Sequence, residues 1–398
     1  MENNPEIIVA GHLCLDIIPG LQNINIQQPE DFFVPGKLVD SSQAEVSTGG
    51  CVSNTGLGLT KIGIKTALMG KVGEDSFGQI VRSLIKDGWG ITDGMIVDEN
   101  SVTSHTIVIS PKGYDRMFLH CPGANDTFCA DDIDFNLVSK AKHFHFGYPP
   151  LMKKMYINDG EELVEIFRRA KECGVTTSLD MALPDPDSES GKVNWKRVLE
   201  KILPYVDIYL PSAEEILFML DKERFVQYQN KSSGDSIPLF TGDDLHNISS
   251  SLLDMGAKII VIKCGHRGSY IRTANKEKLS HINADFFNVN EWANKELWQP
   301  AFTINVRPNT TGSGDATIAG FLAAYIKGCS AEKSICYANA TGACSVTAPG
   351  ALTGIVTWEE LTELIDSGWE PAFLEVEGDN WESSDNIWLC LSPSMQQN

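Results

Sequence analysis

Thr303-Ile-Asn-Val-Arg-Pro-Asn-Thr-Thr-Gly-Ser-Gly-Asp315-Ala-Thr-Ile-Ala-Gly-Phe-Leu-Ala-Ala-Tyr-Ile-Lys327 is the stretch around which the chain is organised. A short alternating segment breaks at Pro308 and passes through a Thr/Gly/Ser loop. It then enters a helix whose apolar residues recur at Ile318, Phe321, Leu322, Tyr325 and Ile326, a 3.6-residue period. The spacing predicts a helix that begins at or near Asp315 and stops at Gly328. First-turn N–H groups lack partners inside a helix, and the helix dipole adds partial positive charge there. Gly312 and Gly314, just before that turn, would let backbone amides face a bound anion.

Asp315 stands at the mouth of this anion site, and its carboxylate has two readings. It can be an N-terminal cap, for which Asp is a favoured residue. It can also be a general base held beside a cradle for a phosphoryl group. A cap needs neither the Gly-x-Gly before it nor the two threonines before that.

Outward from this loop, the chain alternates strands and helices. Glu6–Gly11 reads as a buried strand, followed by Asp16 in an apolar setting. Adjacent Gly49-Gly50 precede a helix that carries Asn54. From His143 onward the pattern is repeated βα: strands at His143–Gly147, Val175–Leu179, Val206–Leu210 and Lys258–Ile262, with helices between them. That alternation predicts a mostly parallel sheet covered on both faces. Asp180, Glu215, Gly265, Gly268 and Asp315 all fall just after strands, the edge at which such sheets bind ligands. Thr103–Ile109 and Arg116–His120 break the pattern. They read as a β-hairpin that joins a small sheet over the site.

Composition bounds the function. The 398 residues carry 42% hydrophobic and 21% charged residues and a formal charge of −21. Such a balance disfavours nucleic acid and anionic membranes as partners. No run is long enough to span a membrane, and no signal peptide is visible, so a cytoplasmic protein is expected. The ten cysteines form no C-x-x-C pair and no zinc spacing.

With Gly49-Gly50, Lys263-Cys-Gly-His-Arg-Gly268 and Asn309-Thr-Thr-Gly-Ser-Gly-Asp315 in this order, the chain resembles the PfkB (ribokinase-like) carbohydrate kinases over roughly residues 6–366. The resemblance implies a three-layer α/β/α fold with a small β-sheet lid formed by about 14–48 and 99–123. The kinase domain would cover 1–366, and 367–398 would be an acidic extension. It implies ATP-dependent phosphorylation of a small sugar, with Mg2+ and in some relatives a monovalent cation, and dimerisation through the lid. Asp315 matches the catalytic base, and Thr311, Gly312, Ser313 and Gly314 the anion hole. Asp16, Gly49, Gly50 and Asn54 match substrate positions. Ser212, Lys263, Gly265, Gly268 and Asn339 match the nucleotide side, and Glu215 a residue linked to magnesium.

Three residues depart from the family pattern: Asn309 for Asp, Ser212 for Asn, and Lys263 where Thr is common. Lys263 reads as a surface lysine at a strand end, with contact to nucleotide phosphates as the other reading. A Rossmann dehydrogenase does not fit, because the Gly-Ser-Gly comes late and lacks a third glycine in register. A nucleoside kinase remains open, with Tyr114, Phe118 and Phe128 as candidates to stack a base. A non-catalytic sensor would be expected to have lost Asp315 or the loop glycines. Arg82 and Arg116 would favour a charged acceptor if they folded over the site; without them the acceptor is expected to be neutral.

Overall fold

The computed structural model describes residues 4–21, 34–88, 91–111, 117–232, 234–306, 308–378, 380–384 and 387–391. Tyr114 and Arg116 lie outside them, as does Arg307. Strands β1 (Ile7–Gly11), β2 (Cys14–Gly20), β3 (Ser42–Gly49), β4 (Thr66–Met69), β5 (Lys71–Gly73), β6 (Ile96–Asp98), β7 (His105–Ile109) and β8 (Met117–Cys121) occupy the first third. Then follow β9 (His143–Gly147), β10 (Thr176–Leu179), β11 (Ile208–Tyr209), β12 (Ile259–Lys263), β13 (Ser269–Thr273), β14 (Glu296–Gln299), β15 (Trp381–Ser384) and β16 (Ile387–Cys390).

Ten strands form the central sheet in the order β15-β16-β14-β13-β12-β11-β10-β9-β1-β4. From β4 to β12 all neighbours are parallel, and from β12 to β15 they are antiparallel. β11 holds only Ile208 and Tyr209, shorter than the apolar run Val206–Leu210 suggests, because only those two residues pair on both sides. The segment set apart as an extension supplies β15 and β16, so it closes one edge of the sheet. Its tryptophans explain why: Trp381 is buried, and Trp388 pairs opposite Trp298.

Strand side chains alternate between two cores, as the period of two requires. Ile8 and Ala10 enter one cluster, and Ile7 and Val9 the other. The first cluster takes the inner faces of helices α3 (Glu161–Glu172), α4 (Trp195–Ile202), α5 (Ala213–Leu220), α6 (Lys222–Ser232) and α7 (Gly242–Asp254). The second takes α1 (Cys51–Ile62), α2 (Ser76–Asp87), α8 (Ser313–Ile326) and α9 (Ala331–Ser345). This is the expected three-layer α/β/α arrangement. The last helix is α10 (Trp358–Asp366).

A second sheet, β3-β2-β7-β8, stands apart from the first. Its β7–β8 hairpin runs in register from His105↔Cys121 to Ile109↔Met117. β2 leaves the central sheet directly after β1, so Asp16 sits where the two sheets meet.

Candidate active site

Helix α8 begins at Ser313 with Gly312 as its N-cap, two residues earlier than the apolar period suggests. Gly312 holds φ 72°, and an added Cβ would lie 2.4 Å from that of Ala351, so the loop demands glycine there. Asp315 is therefore the third residue of the first turn, and capping does not account for it. Its carboxylate is 2% exposed and turned toward other elements. Oδ2 accepts from Asn54 Nδ2 at 3.0 Å and from the Tyr148 hydroxyl at 2.8 Å; Oδ1 accepts from Thr55 Oγ1 at 3.2 Å. Burial raises its pKa, while these donors and the Lys263 ammonium oppose the rise.

Within the loop, Asn309 Oδ1 accepts from Thr311 N at 3.1 Å, and Asn309 N donates to Val346 O. The residue that departs from the family pattern thus braces the loop. Ser313 N donates back to Thr310 O at 3.3 Å. Two of the four expected anion-hole amides are engaged inside the loop, which leaves Gly312 and Gly314 as its better-placed donors.

Lys263 is not a surface lysine. It ends β12, its side chain is 11% exposed, and Nζ lies 2.5 Å from Asp180 Oδ1 and 2.7 Å from Leu210 O. A Cβ built on Gly314 would lie 4.0 Å from Nζ, so the ammonium sits beside the start of α8. Burial raises the Asp180 carboxyl despite that ammonium, and the charges of Glu215 and Asp315 add to the rise. Burial also raises Glu215. Lys263 itself is raised, because its neighbouring carboxylates outweigh its own desolvation.

Ser212 and Glu215 form a capping box on α5: Ser212 N donates to Glu215 Oε2 at 2.7 Å, and Glu215 N to Ser212 Oγ at 3.3 Å. Asn339 on α9 is consumed internally. Its Nδ2 donates to Gln299 O and Pro300 O, and its Oδ1 accepts from Ser269 Oγ. It fastens the end of β14 and has no obvious capacity left for a ligand. Gly265 and Gly268 make the β12–β13 turn, both at positive φ.

On the other side of Asp315 an open cleft of about 1910 Å³ is lined by His12, Asp16, Asn54, Thr106, His120 and Tyr148, among others. Gly50 and Thr311 also line it. A Cβ on Gly49 would lie 2.3 Å from Asp16 Oδ2, and one on Gly50 2.5 Å from His12 O, so the glycine pair makes room for those two residues. Cys14 Sγ donates to Asp16 Oδ1 at 3.3 Å, and burial raises Asp16. Five carboxylates line the cleft (Asp16, Glu45, Asp126, Asp185, Glu189) and, among the described residues, no lysine or arginine does. Arg82 is exposed on α2, away from it. Phe128 is wholly buried beside Phe146 and cannot stack a ligand, whereas Phe118 lines the cleft.

The pfkB family carbohydrate kinase model matches residues 15–358. The chain belongs to this pfkB family. A relative from Arabidopsis thaliana, described as probable fructokinase-6, chloroplastic, is 25% identical over 92% of this chain and 83% of its own. Arabidopsis thaliana ribokinase complexed with ribose and ATP superposes with a TM-score of 0.67 at 19% identity, covering 91% of this chain and 99% of that one. A fructokinase with bound ATP from Xylella fastidiosa gives 0.65 at 18% identity, with the same coverage. These likenesses establish a ribokinase fold. As a pfkB kinase the protein is a carbohydrate phosphotransferase. Among the described residues, no helix is long and apolar enough to cross a membrane.

Sequence reasoning missed Tyr148, Thr55 and His12. Tyr148 directly follows a strand, and Thr55 neighbours Asn54, so position alone could have flagged both. His12 is 2% exposed with neither ring nitrogen bonded; burial lowers it to about 3, so it is neutral.

Proposed function

We propose that this pfkB kinase transfers the γ-phosphoryl group of ATP to a hydroxyl of an uncharged sugar, with Asp315 as general base. The observation that carries this is the setting of Asp315: a buried carboxylate in the first turn of α8, with an amide-rich helix start and the Lys263 ammonium on one side and a hydroxyl-binding cleft on the other. As the acceptor oxygen bonds to phosphorus, Asp315 takes its proton, the bond from the γ-phosphorus to the bridging oxygen breaks, and ADP departs. Gly312 and Gly314 amides and Lys263 oppose the charge spread over the phosphoryl oxygens. Gly265 and Gly268 shape the nucleotide side.

Magnesium suits the carboxylates here: burial raises Asp180 and Glu215 beside the Lys263 ammonium, and a divalent cation would favour their ionised forms. Glu215 would hold the ion, directly or through water, and the ion would supply charge neutralisation on the phosphates. In the cleft, Asp16, Asn54 and Thr106 offer acceptors and donors for vicinal hydroxyls. The absence of lysine and arginine among its described lining disfavours sugar phosphates and sugar acids. Among the described residues no cysteine is in a disulfide, which fits a reducing compartment such as the cytoplasm.

An ADP-release assay across neutral sugars, sugar acids, sugar phosphates and nucleosides tests this reading, with Asp315→Asn as control. The variant should lose turnover by orders of magnitude and keep ATP binding. Turnover with nucleosides alone would move the reading to a nucleoside kinase, with Phe118 as the stacking residue. No ADP release with any acceptor would favour a sensor.

A further inference from the structure

We infer that Tyr148 is a positioning residue: its hydroxyl, together with Asn54 Nδ2, holds Oδ2 of Asp315 from the cleft side and so fixes the orientation of the base. The inference rests on Asp315 being the base. Two independent observations carry it.

The first is the division of donors. Oδ2 receives two, the Tyr148 hydroxyl at 2.8 Å and Asn54 Nδ2 at 3.0 Å, whereas Oδ1 receives only Thr55 Oγ1 at a longer 3.2 Å. A carboxylate held in this way cannot spin about its terminal bond, and its less engaged oxygen is fixed in direction. Preorganising the base in this manner removes a reorientation from the reaction step.

The second is the backbone. Tyr148 holds φ 64° and ψ 41°, left-handed for a bulky side chain. Glycine or asparagine would occupy that conformation with less strain, so an aromatic residue there points to a task for its side chain. The conformation turns the chain sharply after β9 into Pro149-Pro150 and delivers the ring beside His12, with centroids 6.0 Å apart. The ring lines the cleft while its hydroxyl reaches Asp315. The hydroxyl remains a donor throughout the working pH range, since burial and the charge of Asp315 push its pKa well up.

The test is Tyr148→Phe, which keeps the ring and removes the one donor. Other charges and titratable groups that face Asp315 are Lys263 from β12, Asp180 after β10, Glu215 on α5 and Cys51 on α1. All are untouched by the substitution. Loss of a donor to the charged form should raise the proton affinity of Asp315 by about tenfold, one pH unit. The acid limb of kcat/KM should move up by that unit, and kcat should fall with KM for ATP unchanged. A second readout needs no turnover. In protein labelled with 13C at aspartate carboxyls, the Asp315 resonance, assigned by its absence in Asp315→Asn, should titrate about one unit higher in Tyr148→Phe. An unmoved Asp315 titration together with an unmoved acid limb overturns the inference. If wild-type protein releases no ADP, the kinase reading has failed, and the carboxyl titration still decides whether Tyr148 holds Asp315.

Discussion

Lys263 Nζ lies 2.5 Å from Asp180 Oδ1, and the pair is almost wholly enclosed at the carboxyl edge of the parallel sheet. Removing one partner of a buried pair costs about 3–5 kcal/mol when the survivor stays charged. The two survivors differ. Burial raises Asp180 even beside the ammonium, so without that ammonium its carboxyl takes up a proton and leaves no stranded charge. Lys263 is raised, and Glu215 and Asp315 keep it charged. Asp180→Asn should therefore destabilise more than Lys263→Met at pH 7 in urea unfolding. Equal losses, or the reverse order, would refute this asymmetry.

Lys263→Met should have a second consequence. Its ammonium lies beside Gly314, where charge would gather on the transferred group. Removing one such preorganised cation costs about 10²–10³ in kcat. An unchanged kcat in single-turnover measurements would assign Lys263 to folding alone.

The pH dependence of turnover follows from Asp315. A general base acts only when deprotonated, and burial raises this carboxyl above its ordinary value of 3.8. Activity should thus be lost as pH falls through a value above the usual aspartate range. The limb should be absent from Asp315→Asn at its residual rate. A limb at the ordinary carboxylate value would show that the three donors outweigh desolvation.

Gly49→Ala should impair the acceptor side selectively. The new methyl would lie 2.3 Å from Asp16 Oδ2, so the carboxylate must move or the strand must shift. Displacing one hydroxyl-binding group by about 1.4 kcal/mol corresponds to tenfold in affinity. KM for the sugar should rise by roughly that factor while KM for ATP holds. Equal changes in both would show that the substitution disturbs the whole cleft.

Periodicity made the layers legible, because buried parallel strands and amphipathic helices write their burial into the chain. The glycine loop at the start of α8 was legible too, because few structures need Gly-x-Gly at a helix start. What sequence could not give was the third dimension of charge. Lys263 looked like a surface residue because nothing local reveals that Asp180, 83 residues earlier, ends the strand two places away in the sheet. Asn339 looked ligand-binding until its three hydrogen bonds to the β13–β14 region accounted for it. Tyr148 was missed although it directly follows β9, because no residue type announces the left-handed backbone that carries its hydroxyl to Asp315.

The carboxyl-terminal segment should prove indispensable to the fold despite its acidic composition. β16 pairs with β14 at Leu297↔Leu389 and Trp298↔Trp388, and β15 completes the edge. Trp381 packs against Gly242, where an added Cβ would lie 2.3 Å from its Nε1. Trp388 Nε1 donates to Leu374 O at 3.1 Å, and Arg267 Nη2 to Glu375 O at 2.7 Å, which ties the segment to the β12–β13 turn. A chain ending at Glu377 would expose the β14 edge and uncover Trp298. Trp381→Ala alone should cost about 3–5 kcal/mol, the usual loss for a buried large aromatic. The truncated chain should melt well below the full one or aggregate through its open edge. Melting of the truncated chain at the full-length temperature would show that these strands only decorate the sheet.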